Sequence, residues 1–262
     1  MKINIVGGSG LMGRTLTPPL VKGGHDVSFS SARRITKKLE DAVKKSDLTI
    51  ISVPIYVTER VIRAVAPYAK ALMDFTSVKS YPNAWMLKYS KDDCEVGGLH
   101  PLFKDPPVKG KTMIYCPTER SGEKCDDIVE SLKKSGIKLL EMNASDHDYI
   151  MALTQNARTI LLETYGLLLG KTRMGIEEID EMSPPPSKAL LSIISRQVDE
   201  TNDEMYRSMR KYNPWEEKLE FKLVDSLTEV FRNGNHQKKI RKFYNDKLAK
   251  YQERAQKLID NA

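Results

Sequence analysis

Apolar positions along the chain fall into two regimes. Up to about residue 143, short apolar runs alternate with stretches whose apolar residues recur every three or four positions. Ile3-Asn4-Ile5-Val6, Val27-Ser28-Phe29-Ser30, residues 48–53 and residues 71–75 are such runs. Others end near Leu99 and cover 112–116. Continuous runs rich in β-branched residues predict strands buried on both faces. Helical spacing occupies 11–22, 58–70, 82–89 and 122–135. Strands alternating with helices predict an α/β fold, a Rossmann-type doubly wound parallel sheet.

Beyond 143 the pattern is helical throughout. Ser145-Asp146-His147-Asp148 fits a capping box, a serine N-cap with an acid three residues on. A long helix then runs to about Gly170, and Ser183-Pro184-Pro185-Pro186 is the clearest break. Ile240, Tyr244, Leu248, Tyr251, Ala255 and Leu258 line one face of a last helix. The reading is two domains: 1–143 dinucleotide-binding, and 144–262 all-helical.

Composition changes this picture little. The net charge of +7 raises nucleic acid as a partner. The lysines are spread along helices, however, with no aromatic-interleaved basic stripe, so a small anionic ligand is the expected partner and nucleic acid is not. No apolar run approaches the roughly 20 residues of a membrane span, and membrane association is not expected. The three cysteines lack CxxC or metal-ligand spacing, and the N-terminus lacks a signal-peptide apolar core. Both point to the reducing cytoplasm, and no metal site is expected.

Gly8, Gly10 and Gly13 form GxGxxG between the first strand and the first helix, the context that gives this motif meaning. Gly8 would permit the tight turn and Gly10 the approach of a diphosphate. Gly13 would allow close helix–strand packing. Ser9, Leu11 and Met12 complete the turn, where helix N–H groups favour an anion. After the second strand, where NAD-binding folds usually carry a carboxylate, stand Ser30, Ser31, Ala32, Arg33 and Arg34. Two hydroxyls and two guanidiniums suit a 2′-phosphate, so NADP is expected in preference to NAD. His100, in Gly97-Gly98-Leu99-His100-Pro101-Leu102-Phe103, is placed on a loop at a strand end. It is either a general base or an ordinary loop histidine.

Several segments together resemble the prephenate/arogenate dehydrogenase family of tyrosine biosynthesis. They are Gly7–Gly13, residues 52–59 from Ser52-Val53-Pro54 onward, Asp74-Phe75-Thr76-Ser77-Val78-Lys79, and Gly98-Leu99-His100-Pro101-Leu102-Phe103. His147-Asp148, Met151-Ala152, Gln155 and Arg158 continue the series. The resemblance implies oxidative decarboxylation of prephenate, or of arogenate, with a nicotinamide cofactor. His100 would take the proton of the ring hydroxyl, and Ser77 would orient His100 or the nicotinamide amide. Arg158, Gln155 and Lys79 would meet the anionic substrate, and Ser52, Val53 and Pro54 the cofactor. It also implies a homodimer through 144–262. The residues leave other roles open: Ser77 as a turn cap, Lys79 as a partner of Asp74, and His147 as part of a helix cap. Lys104 and the short proline-rich loop 105–110 depart from the family pattern at the mouth of the expected site.

Overall fold

The computed structural model describes residues 1–200, 203–232 and 235–260. By internal contacts the chain divides into two compact units. One is Met1–Met151 with Arg207–Pro214, and the other is Ala152–Tyr206 with Trp215–Ala262. The helix beginning at Ala144, grouped by its pattern with the helical part, lies in the first unit.

The first unit is built on a seven-stranded sheet in the order β2-β1-β3-β4-β5-β6-β7. Its strands are β1 Lys2–Val6, β2 Asp26–Ser30, β3 Leu48–Ile51, β4 Ala71–Asp74, β5 Glu95–Pro101, β6 Thr112–Pro117 and β7 Lys138–Glu141. Helices α1 Leu11–Lys22, α2 Lys37–Lys45, α3 Ile55–Val65, α4 Ser80–Tyr89, α5 Glu123–Lys134 and α6 Ala144–Met151 accompany them. The sheet is buried on both faces. Ile3, Ile5, Ile50, Met73 and Leu99 pack with α1 and α5 residues such as Leu16, Leu20 and Ile128. Val6, Ile51, Leu72 and Val96 pack with Val61, Ile62 and Met86 of α3 and α4. Alternate residues of one strand thus enter opposite cores, which is why these strands read as unbroken apolar runs.

The alternation of elements predicts a parallel sheet, but the observed sheet is not wholly parallel. β1 to β5 run parallel, but β6 is antiparallel to β5. A parallel return needs a crossover of about a dozen residues or more. The short proline-rich connection 102–111 contains no helix, so the chain turns back. The connection from β1 leads to one side and β3 lies on the other. A crevice therefore opens at the carboxyl ends of β1 and β3, where open α/β sheets bind ligands.

In the second unit a π-helical segment, Ala152–Ala157, follows α6 and precedes α7 Arg158–Gly170. The remaining helices are α8 Ile176–Glu181, α9 Pro185–Glu200, α11 Glu216–Arg232, α12 His236–Tyr244 and α13 Leu248–Ile259, while α10 Asp203–Lys211 is divided, its residues from Arg207 onward belonging to the first unit. The last helix expected from the pattern is two helices. Asn245 adopts φ +51° and ψ −135° between α12 and α13, a backbone conformation outside the helical regions that ends α12.

Candidate active site

At the carboxyl end of β1 the glycines fit backbone into narrow spaces. The positive φ of the turn, +86°, belongs to Gly7 rather than Gly8. A Cβ on Gly8 would lie 2.3 Å from the Phe29 ring, and one on Gly13 would lie 2.4 Å from the Gly8 carbonyl oxygen. Helix α1 therefore starts hard against the turn, with Gly10 as an N-cap that offers no side-chain acceptor. Ser9, Gly10 and Leu11 are exposed there and Met12 is half-buried. Uncapped N–H groups and the positive end of the helix dipole make this cradle fit a diphosphate. Ser52 closes the crevice from β3, its N–H donating to the Val6 carbonyl at 2.8 Å. Val53 is half-buried beside it, and exposed Pro54 is the N-cap residue of α3.

At the end of β2 the expected 2′-phosphate contacts divide. Ser30 donates its hydroxyl proton to Asn4 Oδ1 at 2.9 Å. That proton is engaged with Asn4 rather than held out to the crevice. Ser31 Oγ accepts from the Arg33 N–H at 3.3 Å. Arg33 and Arg34 are exposed.

A second, buried cluster forms under the carboxyl ends of β4 and β5. His100 is the penultimate residue of β5, paired with Ile114 of β6, and not a loop residue as expected. It is 3% exposed. Its Nδ1 lies 2.9 Å from Nε2 of His147, whose Nδ1 lies 2.8 Å from Asp148 Oδ1. Asp148 also accepts the Lys79 N–H at 2.7 Å and the Ser80 N–H at 2.8 Å. It therefore caps α4 from a distant segment. The cap of its own helix is Asn143, whose Oδ1 accepts the Asp146 N–H at 2.8 Å. That replaces the expected Ser145 capping box. Asn213 Nδ2 donates to the Asp148 carbonyl at 2.9 Å.

Lys79 is the largest fully buried side chain of the unit. Its ammonium donates to Asp74 Oδ2 at 2.5 Å and to the Leu99 carbonyl at 3.0 Å. Thr76 donates both its N–H, at 3.0 Å, and its hydroxyl to the same Asp74 oxygen. The ammonium is engaged inside the unit by Asp74, the partnership that the residues left open, and not held out as the substrate cation that the resemblance implies.

Burial sets the protonation of this cluster. His100 is held well below the usual histidine range by desolvation first, then by His147 and Lys79. Desolvation likewise lowers His147, although Asp148 opposes it. Burial pushes Asp148 up, but its hydrogen bonds to His147, Ser80 and Lys79 outweigh this and leave it low. Two neutral imidazoles and one carboxylate are the result at neutral pH.

Ser77 is half-buried on the loop after β4, and no hydrogen bond joins it to His100 among the described residues. Gln155 lies in the π-helical segment, half-buried, with Oε1 enclosed and unpartnered. Arg158 opens α7 and is exposed rather than inward, with a 3.3 Å contact to Thr159 Oγ1. Sequence reasoning missed Asp148 as a site residue and left His147 undecided. Their one available signal was an imidazole and a carboxylate side by side at a helix start.

The glycine turn, the switch between β1 and β3 and the sheet define a Rossmann-type nucleotide-binding protein. Residues 32–141 match the family model described as prephenate dehydrogenase, nucleotide-binding domain, and curated relatives and solved structures that resemble the chain carry the names prephenate or arogenate dehydrogenase. The chain is 28% identical over 250 residues to a probable arogenate/prephenate dehydrogenase of Methanocaldococcus jannaschii, covering 88% of this chain and 56% of that protein. It is 31% identical over 199 residues to the T-protein of Haemophilus influenzae, covering 74% of this chain and 52% of that one. The chain spans about half the length of these curated relatives. Among solved structures it resembles the A. aeolicus prephenate dehydrogenase crystallised with hydroxyphenyl propionate and NAD+. The TM-score is 0.69 at 18% identity, covering 98% of this chain and 96% of that one.

Proposed function

We propose that this chain catalyses the oxidative decarboxylation of prephenate to 4-hydroxyphenylpyruvate, with His100 as general base and NADP as cofactor. The observation that carries the reading is His100 itself. It is a neutral, buried imidazole at the carboxyl end of β5, the sheet edge that also carries the glycine turn after β1.

When bound, the nicotinamide supplies the acceptor for the hydride that leaves the ring carbinol carbon. The amides of Ser9, Gly10, Leu11 and Met12 would hold the diphosphate. Ser52, Val53 and Pro54 would line the crevice, and Ser31, Arg33 and Arg34 would meet the 2′-phosphate. His100 Nε2 accepts the ring hydroxyl proton as the carbinol becomes a ketone. The ring carboxylate leaves as carbon dioxide, its bonding electrons complete the aromatic ring, and the ring oxygen, now a phenolate, takes the proton back from His100 to give the phenol. Ser77, which does not bond His100, is left free to orient the nicotinamide amide. Arg158 would offer a guanidinium suited to bidentate contact with a substrate carboxylate, and Gln155 would be a second polar contact to the substrate.

The helical unit exposes Leu167, Leu168, Phe221, Val224, Phe231 and Phe243, each more than 60% accessible. Such a surface supports a homodimer formed through this unit. The buried free cysteines Cys94, Cys116 and Cys125 suit a reducing cytoplasm.

Reduced cofactor is followed by absorbance with prephenate and with arogenate, each with NADP and NAD. Prephenate with NADP should give the highest kcat/KM. Higher kcat/KM with arogenate would move the assignment to that substrate, and no reduction with either would refute the reading. His100→Asn should nearly abolish turnover while NADP affinity, read by fluorescence titration, stays within about twofold. Retained turnover would remove His100 as the base.

A further inference from the structure

We propose that His147 and Asp148 are positioning residues that fix the tautomer of His100, keeping its proton on Nδ1 and leaving Nε2 as the bare lone pair. The inference rests on the reading of His100 as the base.

The direction of every bond in the series follows from its end. An ionised carboxylate can only accept, so His147 must present Nδ1–H to Asp148 Oδ1. A neutral imidazole carries one proton, so His147 Nε2 is then a lone pair. It faces His100 Nδ1 at 2.9 Å, and His100 must be the donor there. The proton of neutral His100 is thereby committed, and its Nε2 is free to accept. Reversing either ring would set lone pair against lone pair or proton against proton in a buried site.

The carboxylate end is itself held. Asp148 accepts backbone N–H groups from Lys79 and Ser80 at the start of α4, where the helix dipole also favours an anion. Asn213 fixes the Asp148 carbonyl. The charged groups acting on the two rings are Asp148 of α6, Lys79 before α4 and Asp74 of β4, and Cys116 of β6 senses the same three. Burial pushes the Cys116 thiol up to about 12, so it stays neutral. Lys79 and Asp74 cancel, and Asp148 leaves the surroundings with one net negative charge. When His100 takes the substrate proton, that charge steadies the new imidazolium through His147. The two backbone donors keep Asp148 ionised, so the proton stays on the imidazoles.

Three His147 and Asp148 variants and one measurement on the unmodified chain test this. His147→Phe keeps a ring but has neither donor nor acceptor. It should lower kcat by about 10²-fold or more, with the prephenate KM and NADP affinity changed less than about threefold. His147→Gln can donate to Asp148 and accept from His100, and should restore at least a tenth of wild-type kcat. Asp148→Asn puts an amide N–H against a donor and should fall with the phenylalanine variant. In the unmodified chain, ¹⁵N resonances of the four histidines should show His100 protonated at Nδ1 and bare at Nε2 near neutral pH. Wild-type kcat in His147→Phe, equal loss in the phenylalanine and glutamine variants, or an Nε2–H tautomer at His100 would each overturn the proposal. If His100→Asn itself retains turnover, the base assignment fails instead. The resonance measurement needs no variant to fold.

Discussion

Lys79→Met is the most severe test of the buried cluster. Both Lys79 and Asp74 have fully buried side chains. At a normal ion-pair separation of about 3 Å and an effective dielectric near 20, their attraction is about 5–6 kcal/mol. Most of it offsets the desolvation of the two ions. Removing one partner leaves the other charge stranded, which costs about 3–5 kcal/mol. Asp74 is poorly placed to absorb that loss. The two donors it would keep both come from Thr76 and both reach Oδ2, while Oδ1 is buried without a partner. With a urea m-value of about 2–3 kcal/mol/M for a unit of this size, the midpoint should fall by about 1–2 M. Trp85 fluorescence in a Trp215→Phe background would report the first unit alone. Asp74→Asn, which strands the ammonium, should cost a similar amount. The double variant strands no charge and should be less destabilised than the sum of the singles by about 2 kcal/mol or more. A midpoint shift under about 0.4 M in Lys79→Met, or strict additivity in the double variant, would show that the pair is not the buried, mutually dependent element described.

Three other outcomes follow from the geometry. Gly98→Ala would place a Cβ 2.6 Å from Asn83 Oδ1 and 2.9 Å from Lys79 Cδ. Overpacking of this kind should cost about 1–3 kcal/mol in a thermal melt and lower turnover; an unchanged melting temperature would contradict the packing. Paired Arg33→Ala and Arg34→Ala changes should cut the NADP-over-NAD ratio of kcat/KM by about tenfold or more, and an unchanged ratio would refute their role. His100 and His147 are lowered in the folded chain, so the unfolded chain binds more protons as pH falls below about 6.5. Stability is fully present above that pH and lost below it, by up to about 1.4 kcal/mol per pH unit for each histidine, until the folded-state values are reached. A urea midpoint that stays flat from pH 7 to 5 would contradict burial of neutral rings.

What was legible in the chain was local or periodic. The run Ile3–Val6 and the glycines behind it announced a strand and a turn, because apolar continuity and missing Cβ atoms act over a few residues. His100 was legible through its neighbours Gly98 and Pro101. The reversal of β6 was not, because it depends on what the 102–111 connection lacks rather than on any strand residue. Lys79 stood between two readings, a substrate cation and a partner of Asp74, and the structure shows the second. Its formal charge suggested an anion outside, whereas its partner Asp74 lies five residues back on the adjoining strand. Asp148 resembled the acid of a local cap, and only tertiary packing turns it toward α4, with Lys79 and Ser80 sixty-nine and sixty-eight positions away. Contacts at that range leave no periodic trace in a single sequence.

The two buried systems close into one ring, which accounts for a lysine where no substrate can reach it. Asp148 accepts the backbone N–H of Lys79, and the ammonium of that residue reaches the Leu99 carbonyl. Leu99 is bonded to His100, His100 meets His147, and His147 returns to Asp148. Lys79 thus spans from the start of α4 to β5 with its main chain on one carboxylate and its side chain beside another. A shorter residue could not reach both, and an uncharged one would leave Asp74 stranded. The imidazole is located from two directions, by the peptide that precedes it and by the ring that accepts its proton. Loosening either side leaves His100 free to turn, so changes at Lys79 and at His147 should depress turnover by less together than the product of their separate effects. Independent effects would mean that the two systems merely lie side by side.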